Sequence, residues 1–554
     1  MITRFTNINV FNTSQRQFEL LDVYIKDTIF YYIGNDIIPY DALVDGQGRY
    51  MIPGLIDSHM HIESSMTTPQ EFSNTVLPLG TTTILADAHE VGNVFGYDGL
   101  VEYMNQTQRL DVFYAIPSSV PSTNPSLETT GGYVDETIVS KLALHPKVIA
   151  LGEIMNFKDL TSDEDTLTKR IVSTFKEVKP NHPIEGHIPR ISGLGLSKFI
   201  MQGIGSDHTQ QTPQSLLEKT RNGLIIQLQE KSLNRALVET IIDYDLFNFV
   251  SLVTDDVMPD DLLNKGHLNH LIKKCISYGM KPVDAIYIAT HTPAQRIQRF
   301  DRGMIAPGKI ADAVILESLE HFEIYDVLKS GKSVNQLSKD PIPSFHEASL
   351  NSIKRAPLSY EDFVVTSSKA VETVRIMSRE MGSTFTQEKH IQVPVKDGLL
   401  SWKECGLNLI CVIERYGHNA PLKFGFVENG FDKPCALATS WAHDHHNILV
   451  MGNDIQKIVD AVNTIIVNQG GIICINDESV FAPLSYGGIV SLEPMDVLAT
   501  KIEKIRDMMA KSGYISHNEI MSFCVLSLLV SPEIKISDKG YVNTTTQEIL
   551  DWSV

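Results

Sequence analysis

Six residues able to hold metal ions are spread along the first half of the chain: His59, His61, Glu153, His187, His208 and Asp255. His59 and His61 stand one residue apart in DSHMHIESSM, just after the apolar run MIPGLID. In a strand, residues i and i+2 point to the same face, so two imidazoles at the end of a buried strand can grip one ion. The other four each close a short apolar run: Glu153 in ALGEIMN, His187 in IEGHIP, His208 in GSDH and Asp255 in LVTDD. Four imidazoles and two carboxylates form a borderline-to-hard donor set suited to Zn, Fe(II), Mn or Co. They suffice for two ions, with Glu153 as a bridge. Two ions a few ångströms apart lower the pKa of a water between them and polarise a substrate. Asp255 would then take a proton from that water and deliver it to a leaving group. A lone His-x-His pair arises often by chance, but ligand types recurring at successive strand ends do not.

The elements that must position these residues read as a barrel. From Leu55 to about Thr292, eight candidate strands recur: GLIDSHMH, TTILADAH, LDVFYAI, KVIALGEI, HPIEGH, GIGSDH, GLIIQLQ and FNFVSLVTDD. Helical stretches such as TPQEFSNTVLPLG, DEDTLTKRIVSTFKEV and TPQSLLEKTRNG lie between them. That rhythm predicts a (β/α)8 barrel of the α/β class over residues 53–302, with its chemistry at the C-terminal strand ends. Residues 1–52 and 303–335 are rich in short strands and turns, and are expected to pair into one composite β domain. Residues 336–363, rich in Pro, Ser and Asp, read as a linker. Residues 364–554 alternate strands (LNLICVIERY, ALATSWAH, NILVMG, GGIICIND) with amphipathic helices and predict a further α+β domain.

The totals narrow the function. A chain of 554 residues holds two to four domains. A net charge of -20 disfavours nucleic acid and anionic membranes as partners and suits a small neutral or cationic substrate. The N-terminus carries no apolar h-region and no apolar run reaches a bilayer span. Six scattered cysteines without a Cys-x-x-Cys pair read as reduced, mostly buried thiols. A cytoplasmic protein is expected.

The segments PGLIDSHMHIESSM, VLPLGTTTILADAHE, ALGEIMNF, SDHTQ, TDDVMPDDLLNKGHLNHLIKK, DRGMIAPGKIADAVIL and LATSWAHDHHNILVMGND together resemble the adenine deaminases of the amidohydrolase superfamily. The resemblance spans nearly the whole chain. It implies a metal-dependent hydrolase barrel (TIM barrel), a small composite β-sandwich and the family's own C-terminal domain. It also implies a binuclear divalent centre of Mn, Fe or Zn: His59 and His61 on one metal, Glu153 bridging, His187 and His208 on the other, and Asp255 as ligand and proton shuttle. The implied reaction is hydrolytic deamination of adenine to hypoxanthine and ammonia, by attack of a metal-activated hydroxide at C6, in purine salvage and adenine catabolism. By analogy the protein would be a homodimer.

Departures from the family pattern bear on the pocket. Asp87-Ala-His-Glu90 stands for Asp-Pro-His-Glu, and Glu185-Gly-His-Ile-Pro-Arg190 for Asp-Gly-His-Ala-Pro-Gly. Tyr416-Gly-His418 replaces a His-His pair, and APLSYGGIV replaces a Pro-Leu-Pro-Ile-Ala-Gly-Leu-like segment. Arg190 either reaches the pocket or faces solvent. His89 and Glu90 have four readings: substrate contacts, groups that orient a ligand, ligands of a further metal, or a strand-end polar pair without chemistry. His443, Asp444 and His446 read as an extra metal site, a lid over the barrel, or a plain surface loop. Glu63, Ser64 and Ser65 either line the pocket or cap the next helix. Two rival functions follow. One is amidohydrolase action on another aminopurine, an aminopyrimidine or a cyclic amide; the other is a catalytically silent binding or regulatory protein.

Overall fold

The run LIDSHM is buried along its whole length as a strand, β1 (Leu55–Met60). Seven more follow in order: β2 (Thr81–Asp87), β3 (Asp111–Ile116), β4 (Val148–Ile154), β5 (Ile184–Gly186), β6 (Ser206–Asp207), β7 (Ile225–Leu228) and β8 (Val250–Leu252). These are the eight strands expected from the apolar runs. The structure is a computed structural model that describes residues 1–379 and 385–554. β1 to β5 form one parallel sheet and β6 to β8 another. Helices between the strands, among them Pro69–Val76, Leu167–Val178 and Pro213–Arg221, and the helix Pro282–Arg296 after β8 cover the outside. Parallel strands buried on both faces explain why these runs are apolar throughout rather than alternating.

Two seams close the ring. At the first, Met60 bridges Asp255 in parallel. The Asp255 N–H donates to the His59 carbonyl (3.2 Å), and the His61 N–H donates to the Asp255 carbonyl (3.3 Å). At the second, the Gly205 N–H donates to the Ile184 carbonyl at 3.1 Å. A side chain reinforces this thin contact. Arg296 reaches in from the end of the helix Pro282–Arg296, pairs with Glu185 at 2.7 Å, and donates to the Ile184 carbonyl and Ser206 Oγ, both at 3.0 Å.

The strands of residues 2–53 and 313–333 join in one sheet, in which Ile52 lies opposite Val314 and Pro53 opposite Ala313. C-terminal to the barrel, a nine-stranded sheet runs from Val371 to Pro483, with the helices Ile455–Val467 and Met495–Lys511 beside it. Between them, residues 336–363 hold only short 3-10 turns. They are pinned at Asp340, which accepts from Ser73 Oγ at 2.6 Å, and at Phe345, whose ring lies 4.0 Å from that of Tyr486. The C-terminal region sits over the strand ends. The Ser491 N–H donates to the Met66 carbonyl (2.7 Å), Trp441 Nε1 donates to the Glu63 carbonyl (3.2 Å), and Arg506 pairs with Asp260 (2.6 Å). Among the described residues no helix is long and apolar enough to cross a membrane.

Removing one partner of a buried ion pair leaves the other charge uncompensated, at a cost of about 3–5 kcal/mol. Arg296→Met should therefore lower the urea midpoint of unfolding, followed by circular dichroism. Glu185→Met combined with Arg296→Met should lose much less. An unchanged midpoint in the single variant would show that Arg296 does not hold the seam.

Candidate active site

β1 ends with His59 on the strand and His61 just past it, and the β1–β8 bridge brings Asp255 between them. Asp255 Oδ1 lies 3.5 Å from His59 Nε2 and 3.3 Å from His61 Nε2. Glu153 is on β4, and His187 and His208 follow β5 and β6. Glu153 turns Oε2 toward His187 Nδ1 (2.8 Å) and His208 Nε2 (3.1 Å), and Oε1 toward His61 Nε2 (3.5 Å). The His59 and His208 rings stack with centroids 3.9 Å apart. All six proposed ligands thus meet at one end of the barrel. Five are buried, while the His187 side chain remains 34% exposed and marks the open side.

The donors fit metal ions. His59 with His208 and Asp255, His59 with His61 and Glu153, and Glu153 with His187 and His208 each place ligand atoms within 4.8 Å of one another. His59 Nε2 is buried without a hydrogen-bond partner, which is what a ligand nitrogen needs. Burial alone would raise the Glu153 carboxyl, but the imidazoles of His208 and His187 hold it well below the usual carboxylate range. Asp255 is likewise opposed by burial and held well below that range by His59 and His61. Both groups stay ionised, as ligands and a proton acceptor must.

A supporting layer surrounds these groups, and it was not recognised from the sequence. Asp87, ending β2, accepts the Glu153 N–H on Oδ2 (3.1 Å), and its carbonyl lies 2.8 Å from His61 Nδ1. One residue therefore aims two of the proposed ligands. Gly152 makes room for it: a Cβ there would meet Asp87 Oδ2 at 2.0 Å. Asp57 accepts from Thr254 Oγ1 (2.6 Å), the Thr254 N–H (3.0 Å) and the His59 N–H (3.2 Å). Thr254 Oγ1 also lies 3.1 Å from Nε2 of buried His267, whose Nδ1 is 2.9 Å from Thr81 Oγ1. The only sequence signal for Asp57 was its place two residues before His59, on the same face.

Glu63 is fully buried, and burial pushes its carboxyl up to about 7. Ser64 donates to Asp256 (2.5 Å) and Ser65 to the Ile62 carbonyl (2.6 Å). The next helix is capped instead by Thr68, which accepts from the Glu71 N–H, so the capping reading of Glu63 to Ser65 is corrected. Arg190 is exposed, with its guanidinium 4.9 Å from the centre of the Phe385 ring. It is not brought to the metal ligands. His89 lies beside His61, ring centroids 4.5 Å apart. His443, Asp444 and His446 are buried against His89 and Glu90, which excludes the plain surface loop. Loops without periodicity give no sign of burial, so the sequence could not separate these cases.

Residues 50–334 match the amidohydrolase family, and residues 383–548 match the adenine deaminase C-terminal domain. Full-length relatives include adenine deaminase 2 of Oenococcus oeni, 45% identical over 98% of this chain and 97% of its own. Adenine deaminase of Lactobacillus delbrueckii subsp. bulgaricus is 45% identical with the same coverage, and that of Clostridium perfringens is 42% identical over 98% of both chains. Among solved structures, a β-aspartyl dipeptidase from Fervidobacterium islandicum AW-1 aligns at 18% identity and a TM-score of 0.46, covering 63% of this chain and 99% of its own. Enamidase aligns at 16% identity and 0.46, covering 61% and 97%.

Two predictions follow from the supporting layer. Gly152→Ala displaces Asp87 and should weaken metal retention by about 10–100-fold, read by chelator competition on protein with an unchanged circular dichroism spectrum. Burial pushes His267 down to about 3, whereas in the unfolded chain it titrates near about 6.5. Between those values the unfolded state binds a proton the folded state refuses. Stability present above about pH 6.5 is therefore lost as pH falls toward about 3, by up to about 1.4 kcal/mol per pH unit. His267→Gln should remove this contribution, measured by urea unfolding at a series of pH values.

Proposed function

We propose that this chain, which belongs to the amidohydrolase family and within it to the adenine deaminases, hydrolyses adenine to hypoxanthine and ammonia. The observation that carries the reading is the division of Glu153 between two ligand groups. Oε2 faces His187 and His208, and Oε1 faces His61. That division suits a carboxylate shared between two ions, of which His59 and His61 would hold one and His187 and His208 the other. Divalent Mn, Fe or Zn bound there would acidify the attacking water and polarise the ring.

The residues of the chain supply the rest. Asp255 sits between His59 and His61 and is ionised. It takes a proton from the water that adds to C6 and hands it to the departing amino nitrogen, so that the C6–N bond breaks and ammonia leaves. The C-terminal region, docked over the strand ends through Trp441 and Ser491, limits entry of bulk water and strengthens each electrostatic contact inside. Six free cysteines, five of them buried, suit a reducing compartment, and we place the activity in the cytoplasm.

The rival substrates lose their motive. Glu185 is tied to Arg296 at the barrel seam, and Arg190 lies over Phe385. The changed residues Glu185 and Arg190 therefore do not line the ligand cluster.

Protein reconstituted with Mn(II) should convert adenine to hypoxanthine, lose the activity on chelation and regain it with added metal. Asp255→Asn should lower kcat by about 10²–10⁴-fold with KM changed far less, while His59→Ala should lose bound metal as well. A metal-loaded protein that leaves adenine intact but releases ammonia from another nucleobase would transfer the assignment to that substrate.

A further inference from the structure

We propose that a third divalent cation is bound where the barrel meets the C-terminal region, held by His89 and Glu90 from one side and His443 and Asp444 from the other. The four side chains come from sequence segments more than 350 residues apart and converge with their ligand atoms within 4.8 Å of one another. His89 Nε2 lies 3.6 Å from Glu90 Oε1 and 3.7 Å from Asp444 Oδ1, and His443 Nδ1 lies 3.6 Å from Asp444 Oδ1. His443 Nδ1 also meets Glu90 Oε1 directly. The edge of a tetrahedron with metal–ligand bonds of 2.0–2.1 Å is about 3.3–3.4 Å, so the donors stand close to the spacing that one small ion requires.

Independent observations point to a ligand here. Glu90 is wholly buried, with His443 Nδ1 against its Oε1 and His446 Nε2 against its Oε2, and His443 Nε2 is buried without a hydrogen-bond partner. Asp444 Oδ2 is buried without a partner as well. Glu90 and Asp444 favour protons on His89 and His443; a divalent cation that displaced those protons would balance the two buried carboxylates in their place. Two imidazoles with two carboxylates suit Zn, Fe(II) or Mn. Four protein donors with no open position make the site structural rather than catalytic. Its effect would be a clamp: the ion ties the loop at 443–444 to the end of β2. It also fixes His89, whose other ring nitrogen, Nδ1, lies 4.0 Å from Glu153 Oε1.

The test is metal content after reconstitution of chelator-stripped protein with Zn(II) and desalting. Wild type should hold three ions per chain, and Glu90→Gln, His443→Ala and Asp444→Asn should each hold two. His59→Ala combined with His208→Ala should keep one. The last equivalent of Zn(II) should also slow hydrogen exchange of the amides around 443–446 in wild type, a readout that does not depend on any variant folding. Two ions in wild type, unchanged in Glu90→Gln and His443→Ala, or no added protection of that loop, would overturn the proposal. One ion in wild type, lost in His443→Ala but kept in the His59/His208 variant, would uphold it and count instead against the binuclear reading.

Discussion

Two backbone hydrogen bonds decide where the chemistry can be. The Asp255 N–H donates to the His59 carbonyl and the His61 N–H to the Asp255 carbonyl, and with them the last barrel strand meets the first. Because alternate residues of a strand share a face, the same register that closes the ring sets His59 and His61 side by side and Asp255 between them. Barrel closure and assembly of half the proposed ligand set are thus one event. The buried Asp57 carboxylate reinforces it by accepting from both strands, from Thr254 on one and the His59 N–H on the other. A carboxylate buried with three donors is well satisfied, whereas an apolar residue there would leave the Thr254 N–H without its acceptor.

The other half of the site depends on that first half through Asp87. Its carbonyl meets His61 and its carboxylate takes the Glu153 N–H, while Ser118 Oγ donates to the Glu153 carbonyl at 2.6 Å. Glu153 is therefore fixed along its backbone before any ion arrives. Gly152 is required by close approach, since no side chain fits against Asp87. Such preorganisation is what lets a bridging carboxylate divide its oxygens between two imidazole groups instead of collapsing onto one.

The convergence of the proposed ligands was legible in the sequence because each is a polar residue ending an otherwise apolar run, and a barrel of parallel strands puts such ends at one mouth. Even β6, only two residues long, was recognisable from GSDH. What stayed hidden depends on long-range packing. Nothing local to Glu185 announces Arg296, 111 positions later, as its partner at 2.7 Å. The substitution in that motif looked like a change of pocket and proves to be a change at a seam. His443 to His446 read as a loop of unknown exposure, because density of polar residues usually signals solvent.

Docking surfaces between regions of one chain are ordinarily lined by apolar and weakly polar groups, since burying charges costs several kcal/mol per ion even after relaxation. Here the C-terminal region presents His443, Asp444 and His446 to a buried Glu90 and His89. Adhesion alone does not call for such groups. Trp441 and the Ser491–Met66 strand contact already provide that. The ionisable cluster lies directly against His61, one ring away from the proposed bridging carboxylate. A charged wall at that position makes physical sense where the two regions must be held in one relative placement by something more specific than apolar contact, and where the placement matters to the ligands next door.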